Sequence, residues 1–384
     1  MVSRIDTDVL RQIQTGSARS RAQLAKRLEV SPSTMGNHVD DLLERGLLRE
    51  CVAETSTSGR PPKVLELNPE AGQFVGIDLD AREIFAACVD FAQRRLRDRV
   101  LTIQRKDRAE DVLRKIESAI EDVLDEHRPL LGIGIASPGA IDISSGTSLH
   151  YQYIRDWKNI PLARRFGERF GVPIQVENNV RTMALAEQAF GKAKHLDSAI
   201  CVGNRTGISA GILIHGELFR GPDGLAGEIG NWPVQFSKGK GTTLEKAASL
   251  RSLLMKLAKR IREGEPTSLK LYRNRVTWEG LVEAIERDDR LVLKVLSEAA
   301  ETLGKTLVQM SLLLNPKRII VCGPLAEIED AFMTPLQESL KEHFPQVNAS
   351  LPDVCGSELG PFVGALGAGA MAARHWTLDR EVFP

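Results

Sequence analysis

Ser33, Thr34, Asn37 and His38 fall within six residues, just after the turn Glu29-Val30-Ser31-Pro32. The spacing predicts that a helix starts at this turn and exposes all four side chains at its N-terminal end. An asparagine amide pairs bidentately with adenine, and a threonine methyl packs on thymine, so this set can read base edges in a major groove. Asp40, Asp41 and Glu44 come later on the same helix, where they are held away from phosphate. Downstream, Ser58-Gly59-Arg60-Pro61-Pro62 frames Arg60 stiffly, which suits a guanidinium entering a narrow minor groove. Cations gather beside both features: Arg19, Arg21, Lys26 and Arg27 in one group, Arg60 and Lys63 in the other. Arg21, Arg60 and Lys63 are expected among the DNA-binding residues, with Ser33, Thr34, Asn37 and His38.

The elements that must position these residues are short. Ile5, Val9, Leu10 and Ile13 form one helical stripe. Ser20-Arg21-Ala22-Gln23 is a capping-box pattern that opens a second helix carrying Leu24, Ala25 and Leu28. The third helix buries Met35, Val39, Leu42 and Leu43, and Gly46 stops it. Gly36 in its middle is a local weakness or an allowance for close approach to a groove wall. Strands over Leu47 to Val52 and Lys63 to Leu67 flank the loop that holds Arg60. This is the plan of a winged helix-turn-helix over residues 1–70. A winged helix used only for protein contacts would not need the Gly-Arg-Pro-Pro frame.

Charge sets a limit on any nucleic-acid contact. The 384 residues hold 51 basic and 51 acidic side chains, and residues 1–68 hold ten and nine. A local patch must therefore do the work of binding. Five scattered cysteines (Cys51, Cys88, Cys201, Cys322, Cys355) include no C-x-x-C or C-x-C pair, which fits a reducing cytoplasm and no disulfide framework. With no run of 18 apolar residues and no signal-peptide core, a cytoplasmic protein without a membrane partner is expected.

From Phe74 onward strands alternate with helices, so residues 71–384 read as an α/β protein of two lobes around a cleft. Phe74 to Leu79, Glu83 to Asp90, Arg97 to Ile103 and Leu131 to Ala136 read as strands, with a helix over Ala109 to His127. Pro161 is expected at the first position of a helix. Ile174-Gln175-Val176 delivers Glu177-Asn178-Asn179, and a helix follows from Val180 to Phe190. Strands over Ser198 to Val202, Ser209 to Ile214 and Arg318 to Cys322, a helix over Asp289 to Leu314 and a Gly/Ala-rich helix over Gly364 to Ala373 complete the pattern. No internal repeat is visible. His195, His215 and Cys201 lack metal-spaced or nucleophilic partners, and the Lys256-Lys259-Arg260-Arg262 cluster reads as a solvated helix face.

Five pieces of this second region, in order, are Gly132-Ile133-Gly134-Ile135-Ala136-Ser137-Pro138-Gly139, Val176-Glu177-Asn178-Asn179, Gly227-Glu228-Ile229-Gly230-Asn231, Leu244-Glu245-Lys246-Ala247-Ala248-Ser249 and Asn315-Pro316. In that order and spacing the chain resembles the ROK family of repressors and sugar kinases. The resemblance implies an actin-like ATPase (ribonuclease H-like) fold behind a repressor-type winged helix. It also implies a sugar site made by Asn178, Glu228 and Glu245, with Asn179, Asn231 and Gly139 beside them. Carboxylates accepting from paired hydroxyls suit a polyol, each such bond being worth roughly 1.5–3 kcal/mol.

Three departures from the kinase pattern stand out. The family's kinases carry an aspartate at the position of Asn179, and an amide cannot take a proton from the attacking hydroxyl near neutral pH. Their glycine-rich phosphate loop is here Asp78-Leu79-Asp80-Ala81-Arg82. Their late Gly-Gly is Gly323-Pro324. The family's zinc ligands are also replaced: Asn231 stands for the histidine, and Ser237-Lys238-Gly239-Lys240-Gly241 supplies no thiolate. Packing of Trp232 and Phe236 is expected to hold that loop instead. No catalysis, no ATP and no metal are expected. The expected partners are an operator DNA, a sugar or sugar derivative as effector, and a second copy of the chain. The rival readings are a sugar kinase with a regulatory DNA-binding head, and a DNA-bound scaffold that senses nothing.

Overall fold

The computed structural model describes residues 4–52, 63–235, 241–345 and 350–376. They fall into two compact units, residues 1–177 with 368–384, and residues 178–367.

The first unit begins with the helices α1 (Arg4–Gln14), α2 (Arg21–Arg27) and α3 (Pro32–Glu44), followed by the antiparallel pair β1 (Leu48–Val52) and β2 (Lys63–Leu67). Ser20 Oγ caps α2 by accepting from the Gln23 amide, but the Gln23 side chain returns to the Arg19 amide, one residue earlier than a capping box requires. Ser31 caps α3 by accepting from the Thr34 amide, and Pro32 just inside has no N–H to leave unpaired at the helix start. The core of this head is Val9, Leu10, Ile13, Leu24, Met35, Val39, Leu42, Leu47 and Leu65. Leu43 and Ile5, expected inside, are only half-buried, and Asp6 is buried in the place Ile5 was expected to take.

A bonded splint joins the head to the sheet of the same unit. The Asn68 amide donates to Leu47 O and its side chain to Gly46 O at 2.7 Å, both within the head. A single 3-10 turn, Pro69–Ala71, leads to Gln73, whose buried side chain donates to Asp125 O and Arg128 O and accepts from the Asp125 amide. Arg128 closes the turn by pairing with Glu70 at 2.6 Å.

The sheet of the first unit runs β10-β6-β3-β4-β5, built from β3 (Gln73–Leu79), β4 (Glu83–Asp90), β5 (Arg95–Thr102), β6 (Leu130–Ser137) and β10 (Ile174–Asn178). β3, β4 and β5 form an antiparallel meander, and β6 joins β3 in parallel. Helix α4 (Ala109–Val123) covers one face with Val112, Leu113, Ile116 and Ile120. It stops four residues short of the expected His127, because Leu124 is extended and the turn after it is held by Gln73. A small sheet of β7 (Ala140–Asp142), β8 (Thr147–His150) and β9 (Lys158–Ile160) precedes α5 (Leu162–Phe170). Pro161 stands at the cap of α5 and not at its first helical position.

The second unit starts with α6 (Asn179–Ala189), then β11 (Ser198–Asn204), β12 (Ile208–Ile214), β13 (Glu217–Phe219) and the short pair β14 (Pro233–Gln235) and β15 (Thr242–Thr243). Helices α7 (Leu244–Ala248), α8 (Leu250–Arg262), α9 (Trp278–Glu286) and α10 (Arg290–Leu314) come next, then β16 (Arg318–Cys322), α11 (Thr334–His343) and β17 (Asp353–Gly356). The last helix, α12 (Val363–His375), begins in the second unit and ends in the first. The sheet of the second unit runs β13-β12-β11-β16-β17: an antiparallel meander of β11, β12 and β13, with β16 and β17 added in parallel. This is the strand order of the first unit again. The repeat is one of topology, which is why no repeat showed in the sequence. The core lies between this sheet and α10, with Leu253, Leu257, Leu296, Leu303, Phe332 and Leu336 fully enclosed.

Candidate functional site

Helix α3 presents a mixed set of side chains. Ser33 and Asn37 are exposed, and among the described residues no hydrogen bond or ion pair engages either side chain. Thr34 is exposed but its hydroxyl lies 2.8 Å from Ser31 Oγ, so it is shared with the helix cap. His38 departs from expectation. Its Nδ1 lies 2.7 Å from Oδ1 of the buried Asp6 on α1, and the ring is half-buried. His38 therefore ties the reading helix to α1, a role the apolar stripe of α1 hid because it passes over the acid.

Arg21 and Lys63, expected to bind DNA, are each held by acids of the head. Arg21 pairs with Asp40 at 2.7 Å and reaches Glu50, and Glu50 also pairs with Lys63. Lys63 holds the Glu50 carboxyl below the usual carboxylate range. Asp40, expected to stand apart from the phosphate contacts, thus belongs to the same charge cluster as Arg21. Arg60 and the rest of the Gly-Arg-Pro-Pro frame lie outside the described residues.

Five of the residues expected at the sugar site, Asn178, Asn179, Glu228, Asn231 and Glu245, belong to the second unit. Asn178 is buried and its Oδ1 accepts from the Val180 amide at 3.0 Å, so it is the N-cap of α6. Asn179 is the first residue of that helix and is half-buried. Glu228 and Glu245 are electrostatic neighbours. Burial pushes the Glu228 carboxyl up, Arg181 opposes that rise, and Glu245 adds to it. The Glu245 carboxylate lies against two glycines: a Cβ on Gly207 would come 2.6 Å from its Oε2, and one on Gly230 3.4 Å. Any side chain at Gly207 would displace Glu245. Asn231, ending the turn Ile229–Asn231, is exposed.

Gly139 belongs to the first unit. Its φ of +79° and a Cβ position 2.4 Å from His150 O give it a packing reason to be glycine, independent of any ligand. His195 and His215 both sit at positive φ in turns, and Cys201 is fully buried in β11. Lys256, Lys259 and Arg260 each pair with a nearby glutamate.

The β3–β4 turn, where a phosphate cradle would stand, does not fit a nucleotide. The Asp80 amide donates to Glu83 O at 2.9 Å, and the Ala81 amide is taken by the carboxylate of Asp80 at 2.7 Å. Donors that would wrap a phosphate are spent within the turn, and an acid sits among them. Zinc does not fit either. An exposed amide, Asn231, replaces the histidine, and the following segment contains no cysteine or histidine. Trp232 and Val234 pack on the core of the second unit, while Phe236 lies outside the described residues.

Residues 74–375 match the ROK family model, and residues 2–56 match that of the MarR family. A protein described as a putative xylose repressor from Caldicellulosiruptor sp. (strain Rt8B.4) is 29% identical over 343 residues, covering 86% of this chain and 85% of its own length. The DNA-binding transcriptional dual regulator NagC of Escherichia coli (strain K12) is 26% identical, covering 95% of this chain and 91% of its own. The crystal structure of a ROK family transcriptional regulator, a homologue of the E. coli MLC protein, shares the fold with a TM-score of 0.79 at 22% identity over 96% of both chains. With a family model spanning most of its length and a MarR-type winged helix in front, this chain belongs to the ROK family.

Proposed function

We propose that this protein is a transcriptional repressor of carbohydrate-use genes, released from or recruited to its operator by a sugar held on a kinase-like domain that does no chemistry. The observation that carries this reading is Asn179. It opens α6 where a kinase of this family needs a base, and its amide accepts no proton. The filled β3–β4 turn supports the same conclusion for ATP. Asn179 still offers a donor and an acceptor to a hydroxyl, on the helix whose Arg181 faces Glu228. Relatives described as a xylose repressor and an N-acetylglucosamine repressor support a sugar as the class of effector. In this reading two copies of the chain present two heads to a symmetric site, with Ser33 and Asn37 on base edges and Arg21, Lys63 and Arg60 on the backbone. Neither zinc nor ATP takes part.

No helix among the described residues is long and apolar enough to cross a membrane. The reading places the protein in the cytoplasm with the genome.

The test is selection of bound fragments from sheared source-genome DNA by purified protein at fixed salt, with and without sugars. Enrichment of a symmetric site beside transporter or sugar-catabolism genes is expected. Absence of enrichment in every condition would overturn the repressor reading. Steady release of ADP with ATP, Mg²⁺ and a hexose would instead favour a kinase.

A further inference from the structure

We propose that Arg181 is a positioning residue of the effector site: from α6 it pins the loop of residues 224–228 and so fixes where Glu228 stands. This deepens the sensing reading and rests on it for its biological meaning.

Arg181 lies two residues beyond Asn179 on the same helix and is buried, with 5% of its surface exposed. A buried guanidinium must find acceptors. Here Nη2 donates to Gly224 O and to Ala226 O, the second at 3.4 Å. Both acceptors are main-chain carbonyls of the loop that ends in Glu228. That loop has little regular pairing of its own. The Ala226 amide donates to Arg220 O at 3.1 Å, and Gly227 O accepts from the Ala210 amide at 2.7 Å. Gly227, at φ +90°, lies so close on β12 that a Cβ would come 1.9 Å from Ala210 O. The loop is thus bonded both to the β12 backbone and to the Arg181 side chain.

The guanidinium serves Glu228 in a second way. Two carboxylates beside each other resist joint ionisation. Arg181 is the cation that lowers the Glu228 carboxyl against burial and against Glu245. A single guanidinium nitrogen, Nη2, serves both carbonyls from a stiff planar group, which a lysine ammonium on a flexible stem does less well. One helix therefore carries both Asn179 and the clamp on Glu228, so the two cannot shift independently.

The experiment compares full-length wild type, R181Q and R181K. Hydrogen exchange read by mass spectrometry should show residues 221–230 opening about tenfold faster in R181Q, with the β12 strand unchanged and partial recovery in R181K. Carboxyl-labelled glutamate, with E228Q to assign the signal, should show the Glu228 titration moving to higher pH in R181Q, a change that loss of packing alone would not produce. Equal loop exchange in wild type and R181Q, or an unmoved Glu228 titration, would overturn the proposal. Thermal stabilisation by D-xylose and by N-acetyl-D-glucosamine is then measured on the same three proteins. A weaker response in R181Q supports the proposal. An equal response overturns the link between the clamp and the effector. A loosened loop and a shifted titration, in a protein whose wild type responds to neither sugar, uphold the clamp and count against the sensing reading.

Discussion

Both candidate sites stand at the start of a helix, and they are built in opposite ways. Helix α3 opens at Ser31 on the surface and shows Ser33 and Asn37 to solvent, uncommitted among the described residues. Helix α6 opens at Asn178 in the interior, and its Arg181 is bonded to carbonyls of a loop 43 and 45 residues downstream, the loop that leads to Glu228. An exposed start reads its partner with side chains of its own helix. An enclosed start depends on what the rest of the chain folds over it. Substitutions should therefore act locally in the first and spread in the second.

The widest gap should come from glycine-to-alanine changes in the two places. Gly227→Ala forces a left-handed backbone and a clash with Ala210 O, and is expected to cost about 3 kcal/mol in chemical denaturation. A loss below about 1 kcal/mol would show that the 224–228 loop yields easily, and the contrast would weaken. Asn37→Ala should lower discrimination between selected operator and random duplex by about tenfold, leaving binding to random duplex unchanged. Equal loss on both duplexes would make Asn37 a backbone contact. His38→Ala leaves the buried Asp6 without its imidazole and should cost the head about 1–2 kcal/mol in thermal unfolding. Loss of base preference with no loss of stability would return His38 to the groove. The smallest effect is a gain. A Cβ on Gly36 would meet nothing within 4 Å, so Gly36→Ala should stabilise the head by up to about 1 kcal/mol. Weaker operator binding in that stabler variant would assign the glycine to close approach on a groove wall.

The same contrast decides how much was legible in the sequence. Helix and strand periodicity located the elements of the head and the long strands and helices of both units, because local stripes such as Met35, Val39 and Leu42 face one core. The short strands β7–β9, β13–β15 and β17 and the helices α7–α9 and α11 were not read. The cap Ser20 was legible because it acts within three residues, whereas Ser31 and Asn178, caps as well, were read as a turn residue and a sugar ligand. The pairing of His38 with Asp6 spans 32 residues and carries no pattern. Arg181 was likewise invisible, since nothing beside it in the chain shows that its partners are the carbonyls of residues 43 and 45 positions away. The early end of α4 had a non-local cause too, the Gln73 amide. The repeated strand order of the two units left no trace in residue types, since a topology can recur on quite different side chains.

The splint at residues 68–73 bears on how such heads can be exchanged between relatives. A cut at residue 70, where composition would divide head from sensor, falls inside the 3-10 turn and separates Glu70 from its partner's whole framework: Arg128, Asp125 and Gln73. A chimaera made there would inherit a head hung on a hinge. One that carries residues 68–73 together with a matching 125–128 turn would inherit its angle as well. In this architecture the unit of recombination is longer than the unit of DNA reading.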